Sequence, residues 1–329
     1  MRDRLRDRLG TILKIAISLS LIAYLLLRID LAAVGQALVS AKLGFLLLDL
    51  LCTMSGFGVN SVRWLVLLRA VGIDVPWRSL LEFTFVGAFF NNFLPTTVGG
   101  DIMRGFSLAQ RIEHNAEAAV SVVMDRVIAL LAFMTSALIA SLVALTTTQL
   151  PVARHLTLAA ALAWGALVIA LLVMLSTRLR AMAEGLFRVP LLSRLAPPYS
   201  RVSTAFDAYR HKQKALALAF GVALVDSLVT NLGVWFAAQA LGADIPVLIV
   251  YLFNPLVMLI AVLPITIGGL GLSQSSYVYF YGLMGVSAAL ALAMSLLQQV
   301  VVYAATLPGG ILWWQRRGDR RPWRSLGDD

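Results

Sequence analysis

Residues 93–104 read FLPTTVGGDIMR, and residues 262–273 read VLPITIGGLGLS. Both contain Leu-Pro-x-Thr-[Val/Ile]-Gly-Gly, with Pro95 and Pro264 set 264 − 95 = 169 residues apart in a chain of 329. Proline gives a helix no backbone N–H, and paired glycines open dihedral space that other residues avoid. Each phrase therefore breaks a helix, and it does so inside apolar sequence. Irregular backbone in hydrocarbon leaves polar groups unsatisfied unless protein or a wet cavity surrounds it.

The medium follows from composition. The chain is 60% hydrophobic and 13% charged, with a mean hydropathy of +0.84. Soluble domains hold about 45–50% apolar residues. Apolar runs lie near 11–28, 43–62, 80–94, 116–145, 152–176, 214–240, 247–263 and 286–312. Many are long enough for about 30 Å of hydrocarbon. The expectation is an all-α polytopic membrane protein.

The net charge of +10 comes from arginines placed between the apolar runs. They are not interleaved with aromatics on a soluble module, so nucleic acid is not an expected partner. The positive-inside rule uses them as topology marks. Arg2, Arg4, Arg6 and Arg8 put the start in the cytoplasm, and Arg63, Arg69 and Arg78 place the loop after the second run there. The basic linker 177–213 and the C-terminal arginines 316, 317, 320, 321 and 324 follow. Loops 146–151 and 241–246 lack basic residues and belong outside. Eight simple spans, the alternative, would put 177–213 outside. The conflict disappears if 80–113 enters and leaves from the cytoplasm and 247–283 does so from outside. The chain then reads as one transmembrane domain over 1–329, with six full spans and two opposed re-entrant hairpins tipped by Pro95–Gly100 and Pro264–Gly269. Its halves, 11–145 and 152–312, form an inverted repeat in the cytoplasmic membrane, with both termini inside. Asn60 and Trp64 match Asn231 and Trp235 at an offset of 171. Opposed breaks in two halves point to a transporter site near the midplane.

Ionisable residues within spans mark function by default. Asp101 and Arg104 follow the first Gly-Gly three residues apart, on one helix face. They serve either as an ion pair holding the hairpin or as a headgroup site, since helix N-termini bind anions. Asp125 and Arg126 adjoin and so cannot face each other. Separate partners suit them, Asp101 for Arg126 and Arg104 for Asp125. Asp49 and Asp226 are lone acids, either ion-coupling sites or groups facing a hydroxyl. Asn91 and Asn92 precede the first tip and Asn254 the second. Thr97 and Thr266 are paired hydroxyls, Gly99, Gly100, Gly268 and Gly269 shape the turns, and Gln274 follows. Gln298 and Gln299 suit interhelical hydrogen bonds. The linker 177–213 reads as an amphipathic surface segment or an ordinary positive loop. Its end, 199–214, reads as a polar lead-in to the next span.

Chemistry of other classes is missing its residues. One cysteine, Cys52, allows no intrachain disulfide, and three scattered histidines have no metal-ligand spacing. There is no Ser/His/Asp set, no His-Glu-x-x-His and no P-loop, and Gly269-Leu270-Gly271 lacks the dinucleotide pattern. No enzyme activity, cofactor or metal is expected.

The pattern Asn-x-x-Leu-Pro-x-x-x-Gly-Gly-Asp-x-x-Arg, then Asp-Arg in a span, then Leu-Pro-x-x-x-Gly-Gly-x-Gly, resembles the lysylphosphatidylglycerol synthase transmembrane family. This flippase-like domain forms the membrane half of multiple peptide resistance factors. The matching positions are Asn91 or Asn92, Pro95, Gly99, Gly100, Asp101, Arg104, Asp125, Arg126, Pro264, Gly268, Gly269 and Gly271. The resemblance covers nearly the whole chain. It implies movement of a phospholipid or a polyprenyl or modified lipid between leaflets, with anionic or modified headgroups as partners. The synthase domain of larger members is absent from this sequence, so lysyl transfer is not implied. Family members commonly carry Arg-Glu after the second Gly-Gly-x-Gly, where Ser273-Gln274 stand here. An ion-coupled small-solute transporter, or a lipid-binding partner of a membrane glycosyltransferase or synthase, are the alternatives.

Overall fold

In lipid every backbone N–H needs a partner within its own segment, so apolar runs become helices. The computed structural model describes residues 2–93, 99–110, 112, 115–147, 153–176, 206–262, 265–266 and 268–316, and every regular element among them is an α-helix. These are α1 Arg2–Arg28, α2 Leu31–Val39, α3 Leu43–Ala70, α4 Trp77–Phe93, α5 Gly99–Ala109 and α6 Asn115–Thr147. The order continues with α7 Ala153–Leu175, α8 Gln213–Ala240, α9 Val247–Val262, α10 Leu272–Gly282 and α11 Ala288–Arg316.

Helix lengths separate spans from hairpins. Five helices are long and apolar enough to cross a membrane, namely α3, α6, α7, α8 and α11. A sixth candidate joins α1 to α2 across an 87° bend. The arms α4 and α9 have 17 and 16 residues, and α5 and α10 have 11 each. At 1.5 Å per residue these are about 25 Å and about 16 Å long, short of about 30 Å of hydrocarbon. Each pair folds back on itself. In the first, Gly87 and Gly100 pack so closely that a Cβ on either would strike the other's carbonyl oxygen. In the second, Phe253 lies against Phe280 and Tyr281, each at 5.5 Å between ring centroids. The tips at 94–98, 263–264 and 267 lie outside the described residues, so Pro95, Thr97 and Pro264 receive no structural account. So does 177–205, most of the basic linker.

The order of elements repeats. A 28-residue helix, a hairpin and a long helix occur as α3–α6 and again as α8–α11. The turn after each 28-residue helix repeats three of its hydrogen bonds. Gly72 N–H donates to Arg69 O, Ile73 N–H to Leu68 O and Ser79 N–H to Pro76 O. Gly242, Ala243 and Ile249 donate to Gln239, Ala238 and Pro246 in the same way, and 242 − 72 = 170. Gly72 and Gly242 carry φ of +84° and +72°, the left-handed region that ends a helix without strain for glycine. The sequence beneath is Gly-Ile-Asp-Val-Pro at 72–76 and Gly-Ala-Asp-Ile-Pro at 242–246, a third repeated phrase. Helices α3 and α8 run antiparallel as the central pair. Lys42 N–H donates to Ala240 O at 2.9 Å at one end, and Gly56 faces Asp226 at mid-length.

Three expectations change. Arg63 is not in a loop, because α3 continues to Ala70. The first run does not end as a plain span. Asp30 accepts from Ala32 N and Ala33 N at 2.9 and 3.2 Å, which caps a new helix at the bend. The segment before α8 is not a polar lead-in. Phe206 and Tyr209 are buried with Leu67, Met124, Ile128 and Ala223.

Candidate functional site

The first hairpin brings charge into the helix core. Its second arm begins at Gly99-Gly100, where the absence of side chains lets α5 touch α4. Asn91 Oδ1 accepts from Gly100 N at 2.7 Å, capping an N–H that a helix start leaves free. This fixes the rotation of α5. Arg104 then points inward, while Ile102 and Phe106 lie exposed on the other side.

Six charged side chains meet in a chain. Arg63 holds Asp125 through two points, Nε to Oδ1 at 2.6 Å and Nη2 to Oδ2 at 3.3 Å. Its Nη1 reaches Asp226 Oδ2 at 2.9 Å. Asp125 Oδ2 also accepts from Arg104 Nη2 at 2.7 Å. Arg104 donates to Asn60 Oδ1 at 3.0 Å, lies 4.5 Å from the Trp64 ring centroid and stands 3.8 Å from Asp101. Asp101 Oδ2 finally pairs with Arg126 Nε at 2.8 Å. The order is Asp226, Arg63, Asp125, Arg104, Asp101, Arg126, with three acids against three guanidiniums and no net charge. Helices α8, α3, α6 and α5 supply them.

Pairing explains why such charges are tolerated here. Buried ions survive only with close partners and satisfied hydrogen bonds. Arginine suits the task because its planar fork meets two carboxylates at once and stacks on an aromatic face. Arg63, Asp125 and Arg104 are buried, but the Arg126 side chain is 43% exposed. The network thus has one closed end and one open end. Tyr209 packs beneath it. Burial, and secondarily the nearby Asp125, pushes its phenol above the ordinary tyrosine range.

The remaining candidates divide. Asn92 donates to Thr306 Oγ1 at 2.7 Å and ties α4 to α11 away from the charges. Gln274 accepts from Gly271 N at 2.8 Å and donates to Gln299 at 3.1 Å, so it fixes the start of α10. Gly268, Gly269 and Gly271 have φ between +58° and +79°, a run of left-handed turns. Thr266 is buried with its hydroxyl unpartnered among the described residues. Asp49 lies over Gly233 in the same α3–α8 contact, seven residues before Gly56.

Asp226 is not the lone acid its sequence context suggests, since Arg63 neutralises it. Arg63 itself is the residue the sequence reading missed as a site member. An apolar run that stops at residue 62 leaves Arg63 out, although Leu65-Val66-Leu67-Leu68 continues it. Among the described residues no group of three His, Cys, Asp or Glu is placed to hold a metal ion.

The model of the lysylphosphatidylglycerol synthase transmembrane region matches residues 11–310. The chain is also similar to the UPF0104 membrane protein PH1989 of Pyrococcus horikoshii, 24% identical over 330 residues, covering 93% of this chain and 97% of that protein. This multi-pass chain belongs to the family of the lysylphosphatidylglycerol synthase transmembrane region.

Proposed function

We propose that the protein is a lipid translocase of the cytoplasmic membrane, working without covalent chemistry. The observation that carries this is the open end of the charge network. Arg126 lies half-exposed on α6, where Val123 is exposed one turn earlier, and it pairs with Asp101 of α5, the helix that also exposes Ile102 and Phe106. A headgroup phosphate would exchange onto Arg126 while acyl chains stay against that apolar surface. Asp101 would release Arg126 to the phosphate and take it back, and Arg104 stands next in line for the same anion. A modified headgroup with an amine would use Asp101 instead. The basic loops and termini support a topology with both ends of the chain in the cytoplasm. Its partners are then lipids with anionic or modified headgroups, together with any enzyme that makes them.

Leaflet exchange in vesicles tests this. The pure full-length protein is reconstituted with labelled lipids of several headgroups, beside Arg126→Ala and Arg104→Ala. Exchange above protein-free vesicles, lost tenfold or more in both variants, is expected. Exchange that both variants retain would remove the network from the path. No exchange for any phospholipid, polyprenyl lipid or glycolipid would reject translocation.

A further inference from the structure

The two halves share a backbone but not their charges. With the offset of 171 that relates Asn60 to Asn231, the mate of Arg63 is position 63 + 171 = 234, and Val234 stands there. Four residues past the second Gly-Gly, at the place of Arg104, stands Ser273. Asp125 and Arg126 lie 10 and 11 residues past the start of α6. The same steps along α11 reach Gln298 and Gln299. Every charge of the first site is thus neutral in the second.

Asp49 is a fully buried acid outside the charge network, with no arginine paired to it among the described residues. Its Oδ1 sits where a Cβ on Gly233 would meet it at 2.8 Å, and Thr53 donates to Oδ1 at 3.4 Å. Its other oxygen, Oδ2, is buried with no hydrogen-bond partner. Gln298 of α11 faces the carboxylate, and its own Oε1 is a second buried acceptor without a partner. The titratable groups around it are Cys52 on α3 and Tyr277 on α10, with Tyr251 of α9 beside Cys52. Asp226 lies over Gly56, seven residues or about 10 Å along α3, and is held by Arg63. No cation faces Asp49 among the described residues.

We infer that Asp49 is a proton-binding site, neutral in this arrangement and independent of the charge network. An isolated carboxylate in apolar surroundings takes up a proton rather than stay charged. The proton turns the unpartnered Oδ2 into a neutral hydroxyl, which needs no counter-ion. The Gln298 amide offers the carboxylate an N–H but no charge. A sodium ion would want about five or six oxygens, and one carboxylate, one hydroxyl and one amide do not make that shell. Because Gln298 and Tyr277 come from α11 and α10, loss of this proton loosens the contact between the central pair and the second hairpin. For a translocase this would make Asp49 the coupling acid.

Infrared difference spectra of the full-length protein in nanodiscs decide the matter without any transport. A carbonyl band of a protonated carboxylic acid is expected at neutral pH. It should shift on 13C-aspartate labelling of the native chain, disappear in Asp49→Asn and persist in Asp226→Asn. No labelled carboxylic-acid band, or one unaltered in Asp49→Asn, would overturn the inference. A band lost on adding sodium would make this a sodium site instead. If the Asn variant fails to fold, Asp49→Glu replaces it: a band that then no longer shifts on 13C-aspartate labelling supports the inference, and one that still shifts overturns it. Absent leaflet exchange would count against translocation and leave this result standing.

Discussion

Arg63→Met tests the network most directly. Methionine keeps an apolar stem of similar reach and removes the guanidinium. Asp125 still has Arg104 at 2.7 Å. Asp226 loses its only cation among the described residues and keeps the hydroxyl of Thr230. A buried ion stripped of its partner costs about 3–5 kcal/mol. Asp226→Asn costs less, about 1–3 kcal/mol, because Arg63 keeps its two-point contact with Asp125. The double variant leaves no stranded carboxylate, so its loss should fall short of the sum by about 2 kcal/mol. The measurement is a double-mutant cycle on purified protein, unfolded by rising dodecyl sulfate in mixed micelles and followed by circular dichroism. Additive losses within about 0.5 kcal/mol would show two uncoupled residues and refute the reading of Arg63 as a bridge.

Two further outcomes follow from the hairpins. Gly100→Ala should cost about 1–3 kcal/mol in the same assay, since its Cβ would strike Gly87 O, backbone that cannot swing away. Gly105→Ala on the same helix is the control, because its Cβ would meet Val122 Cγ2 at an ordinary 3.5 Å and alanine favours the helix, so no loss is expected. Amide hydrogen exchange should be faster in α9–α10 than in α4–α5, because charge-assisted hydrogen bonds hold the first hairpin and neutral ones the second; equal protection would sink that ranking.

What could be read from sequence was set by which signals are local. Proline and paired glycine break a helix wherever they stand, and the arginine count in the loops rejects eight crossings, so both hairpins were legible. The partners of Asp125 and Arg126 were legible too, because neighbours on a helix point about 100° apart. Arg63 was not. A guanidinium within an apolar helix looks the same in sequence as one at the edge of a loop, and only two acids from distant segments, 62 and 163 residues away, distinguish them. The bend after α1 shows in the sequence as Asp30, but an acid at the edge of an apolar run marks the end of a span equally well. The repeated Gly-x-Asp-[Val/Ile]-Pro turn is short and of common turn composition, so its hydrogen bonds rather than its residues make it conspicuous.

The unequal charging of the two halves bears on how such a protein would work. Inverted repeats supply two related conformations, each half taking the other's shape in turn. Shape can be exchanged in this way, but side chains cannot. Three guanidiniums and three carboxylates stay with α3, α5, α6 and α8 whichever conformation the hairpins adopt. In the proposed translocase a headgroup anion would then have one strong site, and access would move around it. The second hairpin is suited to that motion. Its contacts, Asn254 to Asn231 at 2.8 Å and Gln274 to Gln299 at 3.1 Å, are neutral hydrogen bonds that exchange for others at small net cost. Moving the first hairpin would instead separate Arg104 from Asp125 in a medium that penalises both alone. The repeat thus supplies the same hairpin twice, and the charges make one of them the fixed member.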